Sequence, residues 1–183
     1  MLVGIPLKIL IMNITQVQGD EYAPFYSTYI SQVSGEFSLL EELEISVHRL
    51  RNFVQEIPMD KYDYRYDEGK WTIKDILQHL IDSERVFAYR ALRFARKDLT
   101  PLPGFEENDY ANTADGSKRS IRDLLTELAI VREATLCLFR TFSDETLQLK
   151  GMASEREMSV RALGFIIIGH QNHHQKIFQE RYL

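Results

Sequence analysis

An all-α fold, a four-helix bundle with long connections between its helices, is predicted for this 183-residue chain by three observations. Apolar residues recur at spacings of three and four in four separate segments, a Ser or Thr stands at the head of each, and no segment shows the strict alternation of a half-buried strand. Helices of about 20 residues, each with one apolar stripe, bury those stripes most simply against one another.

Residues 2–12 are apolar but are interrupted by Pro6 and Lys8, well short of the roughly 18 apolar residues of a membrane span. The Asn13-Ile14-Thr15 that follows offers no small-residue cleavage site for a secretory signal. Residues 1–19 are therefore expected to be an extension, disordered or docked, or to begin upstream of a true start at Met12, and the bundle is expected to occupy 20–183. Glu21–Val33 reads as a short helix broken by Pro24. The first long helix is predicted over Ser38–Glu56, with Leu40, Leu43, Val47, Leu50 and Val54 on one face, Ser38-x-x-Glu41 as a capping box, and Ile57-Pro58 as its stop.

The second runs from the Thr72 cap, with Asp75 in its first turn, through Ile76, Leu80, Phe87 and Phe94 to about Arg96, ahead of Pro101, Pro103 and Gly104. Ser120 and Asp123 open the third, which carries Leu124, Leu128, Val131, Thr135, Leu138 and Phe142 and is expected to stop near Ser143. The fourth opens at Ser159 and continues through Leu163, Ile167, His170, His174 and Phe178 to the C-terminus. Only Leu147–Met152 reads as extended. The links over 57–71 and 98–116 are long for helix-to-helix turns and are expected to roof one end of the bundle.

Composition narrows the function. Twenty-two Lys and Arg against 27 Asp and Glu leave a net charge of −5, and without a basic block no nucleic-acid partner is expected. The single cysteine excludes an internal disulfide framework and a Cys-rich zinc site, and Cys137 is expected to pack within its helix. With no secretory signal and a free thiol, the expected address is cytoplasmic, with no membrane partner.

Three of the five histidines fall within five residues of one another. His170 and His174 are one helical turn apart, about 40° from each other around the axis, and share the apolar face of Leu163, Ile167 and Ile177. Such an i, i+4 pair is a common way for one helix to offer two nitrogens to a metal. His173 stands about 60° to the side, at the rim or as a substitute ligand. His79, one turn after Ile76 and beside Leu80, can also face the interior, as a third ligand or as a hydrogen-bonded core residue. His48 is assigned to the surface or to packing. A zincin would need Glu where the chain has Gln171, and the paired Glu-x-x-His of di-iron bundles is absent.

The run from Trp71-Thr72 through His79-Leu80-Ile81-Asp82 to Glu84, then Val131-Arg132, then His170-x-x-His173-His174-x-x-x-Phe178 closing on Arg181-Tyr182-Leu183, resembles the DinB-like (DinB/YfiT) superfamily from about residue 20 onward. The resemblance implies a metal-binding four-helix bundle, often a homodimer, with His79, His170 and His174 as ligands of a divalent ion. Nickel or zinc is expected first, manganese or iron after them. It also implies a metal-dependent transferase or hydrolase acting on a small molecule, including S-transfer from a low-molecular-weight thiol. A non-catalytic metal-binding protein and a helical interaction bundle are the alternatives.

Other residues take secondary expectations. Asp82, Glu84, Asn108 and Tyr110 are candidates for the site mouth. Arg90, Arg93 and Arg132 would either receive the carboxylates of a peptidic thiol or form salt bridges within the bundle. Trp71 is expected to anchor a loop in the core, and Tyr62, Tyr64 and Tyr66 to pack over the bundle end or form a dimer surface.

Overall fold

The computed structural model describes residues 12–183, so the expectation for residues 1–11 lies outside the described residues. The four long helices form as their caps dictate: α2 (Leu39–Glu56), α3 (Ile73–Ala95), α5 (Ile121–Phe139) and α7 (Val160–Ile177). The short helix α1 (Ser27–Ile30) precedes them, and α4 (Glu107–Ala114) and α6 (Asp144–Leu147) lie in the connections between them. Ser38 and Thr72 each complete a reciprocal capping box, with Glu41 and Asp75. Ser120 and Ser159 each satisfy one backbone donor, at Asp123 and Ala162, which removes an unpaired N–H from the first turn.

Around the bundle, α3 packs against α5 and α7, and α2 packs against the same two helices. Helices consecutive among the four, α2 then α3 and α5 then α7, therefore stand at opposite corners. Each diagonal step needs a connection across a bundle end, which accounts for the long links from α2 to α3 and from α5 to α7, whereas the 98–116 link joins the neighbours α3 and α5. The 98–116 link is itself partly helical, since α4 lies within it and packs on α3.

Two features depart from the expected pattern. α5 stops at Phe139 rather than Ser143, because Ser143 caps α6 instead, accepting from Thr146 N. Strands β1 (Lys150–Ala153) and β2 (Arg156–Ser159) then form an antiparallel hairpin, paired Lys150 to Ser159 and Ala153 to Arg156. Its two-residue turn, Ser154-Glu155, has φ of 51° and 61°. That turn shape is usually announced by Asn-Gly or Asp-Gly, so the hairpin carried no local signal. Gly151 is required here because a Cβ would stand 2.1 Å from the Phe94 ring.

Apolar side chains form two clusters along the bundle. One gathers Leu43, Phe87, Phe94, Phe139, Leu163 and Phe165, the other Val47, Leu50, Ile73, Leu77, Leu128 and Phe178. Between them, along α2, α3, α5 and α7, lie buried polar groups: Ser46, Glu84, Arg132, His170 and Gln171. Burying such a layer is costly unless every group is partnered, so a polar slice through this core asks for an explanation.

The segment 12–19 is docked. Met12 is buried, its carbonyl accepts from Leu39 N at 2.7 Å, and Asn13 Nδ2 donates to Gly35 O at 2.6 Å. Glu21 accepts from Ser159 Oγ and Arg161 Nε, both at 2.7 Å, tying this segment to the start of α7. Cys137 is exposed rather than packed within the bundle, since the residues beside it, Leu136 and Phe139, take the inward face of α5. Among the described residues, no helix is long and apolar enough to cross a membrane.

Candidate metal centre

His79 from α3 and His170 and His174 from α7 converge in the core, 4%, 3% and 8% exposed. His170 Nε2 lies 3.0 Å from His79 Nε2 and 3.1 Å from His174 Nε2, and one donor atom from each of the three falls within 4.8 Å of the others. Tetrahedral ligands with metal–nitrogen bonds of about 2.0–2.1 Å stand about 3.3 Å apart, so the two separations at His170 are close to those of nitrogens sharing one cation, and the third pair lies within 4.8 Å.

Hydrogen bonding alone does not satisfy this arrangement. A neutral imidazole nitrogen carries either one proton or one lone pair. His170 Nε2 faces two other nitrogens and can pair with one of them. Three lone pairs aimed at a common cation leave none in conflict, so the donor set fits a divalent metal. His79 Nδ1 lies 3.4 Å from Ser83 Oγ, a hydroxyl that can accept from a protonated Nδ1 and so leave the Nε2 lone pair free. His174 Nδ1 is buried with no hydrogen-bond partner among the described residues.

The surroundings keep the rings neutral. Burial pushes His79 down to about 4, and burial together with the neighbouring imidazoles holds His170 and His174 well below the ordinary histidine range. All three lone pairs are therefore available at neutral pH. The metal-free protein is accordingly expected to be acid-sensitive. Because the folded-state pKa of His79 is lowered from 6.5 to about 4, the stability it protects is complete above pH 6.5. It is lost as pH falls towards 4, about 3 kcal/mol for this group alone. Denaturant titrations of chelator-treated protein at pH 7 and pH 4 read the loss. The metal-free His79→Leu variant should lose less over the same interval, and an equal loss would contradict this account.

Aromatic rings hold the imidazoles in place. Tyr29 of α1 packs 4.9 Å from His170 and 5.3 Å from His173, and Trp71 packs 4.9 Å from His79. α1 approaches this closely because position 169 is glycine, where a Cβ would stand 2.0 Å from Tyr29 O. His173 is half-buried at the rim and outside the cluster, and His48 is exposed. Beside His174 lies a cavity of about 230 Å³ walled in part by Trp71, Tyr66 and Tyr182.

Of the candidates for the mouth, only Asn108, on the first turn of α4, borders this cavity. Glu84 does not reach it. Its carboxylate is buried and takes two hydrogen bonds from Arg132, at 2.8 and 3.0 Å. Asp82 accepts from Gln78 Nε2 at 3.1 Å and pairs with Arg85, while Tyr110 is exposed against Phe105. The arginines are likewise engaged: Arg93 with Asp98 and Tyr89, Arg90 with Pro103 O and Ser154 Oγ, and Arg132 with Glu84. Tyr62 donates to Val54 O, and Tyr64 and Tyr66 meet Tyr182 edge-on, so this run packs over the bundle end.

Gln171 is a neighbour of the site that periodicity did not single out. It accepts from Arg132 Nη2 at 3.1 Å and donates to Ser46 O at 2.8 Å, directly beside His170 in the chain. The only signal was its place among the histidines, which says nothing of partners on other helices.

Residues 42–178 match the family model of the DinB superfamily. A protein of Oceanobacillus iheyensis, provisionally named a metal-dependent hydrolase, is 25% identical over 142 residues, covering 74% of this chain and 78% of its own. A Geobacillus thermodenitrificans protein of the same provisional name is 27% identical over 127 residues, covering 68% and 71%. Among solved structures, YfiT of Bacillus subtilis, described as having an unusual four-helix bundle topology and provisionally as a metal-dependent hydrolase, superposes with a TM-score of 0.70 at 18% identity. That match covers 78% of this chain and 82% of YfiT, and is a likeness of fold.

Proposed function

The chain belongs to the DinB superfamily, and from that footing we propose that it is a hydrolase dependent on a divalent metal held by His79, His170 and His174. The observation that carries the proposal is His170 Nε2 facing the Nε2 atoms of His79 and His174 in the buried core, an arrangement hydrogen bonds among the three rings cannot fully satisfy. The names of the two curated relatives support the same chemistry.

A divalent ion bound by three neutral imidazoles keeps its charge largely uncompensated and supplies the Lewis acidity that lowers the pKa of a water or thiol and polarises the bond under attack. The chain's own residues do the rest. Burial holds the rings unprotonated, Ser83 orients His79, and Tyr29 and Trp71 fix ring planes while shielding the cluster from bulk water. The cavity beside His174 admits a small molecule. A metal store gains by closing its coordination sphere with a fourth protein ligand, and an open cavity next to three ligands argues for turnover instead. Imidazole donors suit nickel and zinc, with manganese and iron as further candidates.

S-transfer from a low-molecular-weight thiol would use the same ligands. Arg90, Arg93 and Arg132, the groups expected to receive a thiol's carboxylates, are each bonded within the fold, so hydrolysis is favoured. Family membership also supports a homodimer, which light scattering would read.

Elemental analysis of untagged protein, loaded with zinc or nickel and desalted, should find about one ion per chain. Hydrolysis of a panel of small esters, amides and phosphoesters should stop on chelation and return on reloading. Turnover that appears only with added thiol would move the assignment to S-transfer, and failure to bind metal under any loading would overturn it.

A further inference from the structure

The cavity beside His174 has a composition of its own. Trp71, Tyr66 and Tyr182 supply three aromatic walls, His174 stands at one side, and Lys70 and Asn108 are the further polar residues along its lining; among the described residues no acidic residue lines it. The aromatic walls are mutually braced. Tyr182 donates to Trp71 O at 2.6 Å, the Tyr66 ring meets Tyr182 edge-on at 5.2 Å, and Trp71 itself packs on His79. Lys70 is exposed, and its ammonium makes no ion pair among the described residues. A volume of about 230 Å³ exceeds the roughly 150 Å³ that accommodates benzene.

We propose that this cavity seats a flat apolar group of an anionic substrate between Trp71, Tyr66 and Tyr182, with the anion at Lys70 and the other end of the molecule at His174. Rigid aromatic walls with few polar groups favour an apolar body, and a lone cation without a competing carboxylate selects for negative charge at the rim. The position beside a metal ligand rests on the hydrolase proposal; the seating of the ligand does not.

Trp71 is the single tryptophan of the chain, so its emission reports the cavity directly. Zinc-loaded full-length protein titrated with 3-phenylpropanoate and with its neutral amide should give saturable emission changes, with the carboxylate about fivefold tighter at low salt. Lys70→Gln should abolish that advantage and leave the amide unchanged, while Tyr66→Ala should weaken both about tenfold. No saturable response, or a carboxylate advantage that survives Lys70→Gln and so places the anion elsewhere, would overturn the proposal. A chain that holds no zinc yet gives the titration loses the hydrolase reading alone. A chain that holds zinc and gives no titration loses the cavity reading alone.

Discussion

Replacing His79, His170 or His174 with alanine is expected to lower affinity for zinc or nickel by at least about a hundredfold. Losing a mere outer partner of a ligand typically costs 10–100-fold, and each substitution here removes a donor atom itself. The His79 variant keeps only the i, i+4 pair on α7, and either α7 variant leaves one imidazole from each helix. His173→Ala should retain most of the metal, because His173 stands at the rim outside the cluster. None of the ligand variants should unfold in the absence of metal. Each relieves a conflict, since His170 Nε2 faces two nitrogens and His174 Nδ1 is buried without a partner among the described residues. Added metal should raise the Tm of the native chain, as ligand binding to the folded state requires, and should leave the Tm of all three variants unmoved. Stoichiometric metal in the three variants after desalting would reject the ligand assignment.

A second large effect is expected at Arg132. Its guanidinium donates to both Glu84 oxygens, to Leu43 O and Ser46 Oγ at 2.8 Å each, and to Gln171 Oε1, joining all four long helices. Arg132 is 1% exposed and Glu84 3%. Arg132→Ala leaves a carboxylate buried without its cation, at a cost of about 3–5 kcal/mol. In a chain of this size that lowers Tm by roughly 6–20 °C. Replacing both partners together, Glu84→Leu with Arg132→Met, should cost far less than Arg132→Ala, since no uncompensated charge remains. Thermal melts of the single and double variants decide the matter: a double variant as unstable as the single one would show that packing, not the unpaired charge, sets the loss. Because Gln171 follows His170 directly, Arg132→Ala should also weaken metal binding by about tenfold.

These two sites differ in how far they could be read from the chain. The His170 and His174 pair was legible because both lie on one helix, where a spacing of four fixes their relative direction. His79 could be placed only on an inward face, with two roles open. The partner of Arg132 was not legible at all. Glu84 is 48 positions away, and a charged residue on a helix face reads equally well as solvated or paired. Helix α4 went unrecognised for a related reason. It has eight residues and one buried side chain, Ala111, too little apolar periodicity to stand out. Its first turn nonetheless brings Asn108 to the cavity.

What the sequence determined by itself is local. Ser38, Thr72, Ser120 and Ser159 started four helices, because a cap bonds to backbone only three positions away. The apolar spacing chose which face of each helix would be buried. Tertiary structure decided which buried faces meet. Packing α3 beside α7, with α2 and α3 at opposite corners, brings His79 to within 3.0 Å of His170 across 91 positions of chain. The same packing lowers the dielectric around them, which turns three ordinary histidines into neutral, converging donors. Proximity in a helix follows from bond geometry, whereas proximity across a core depends on the shape and volume of every side chain between.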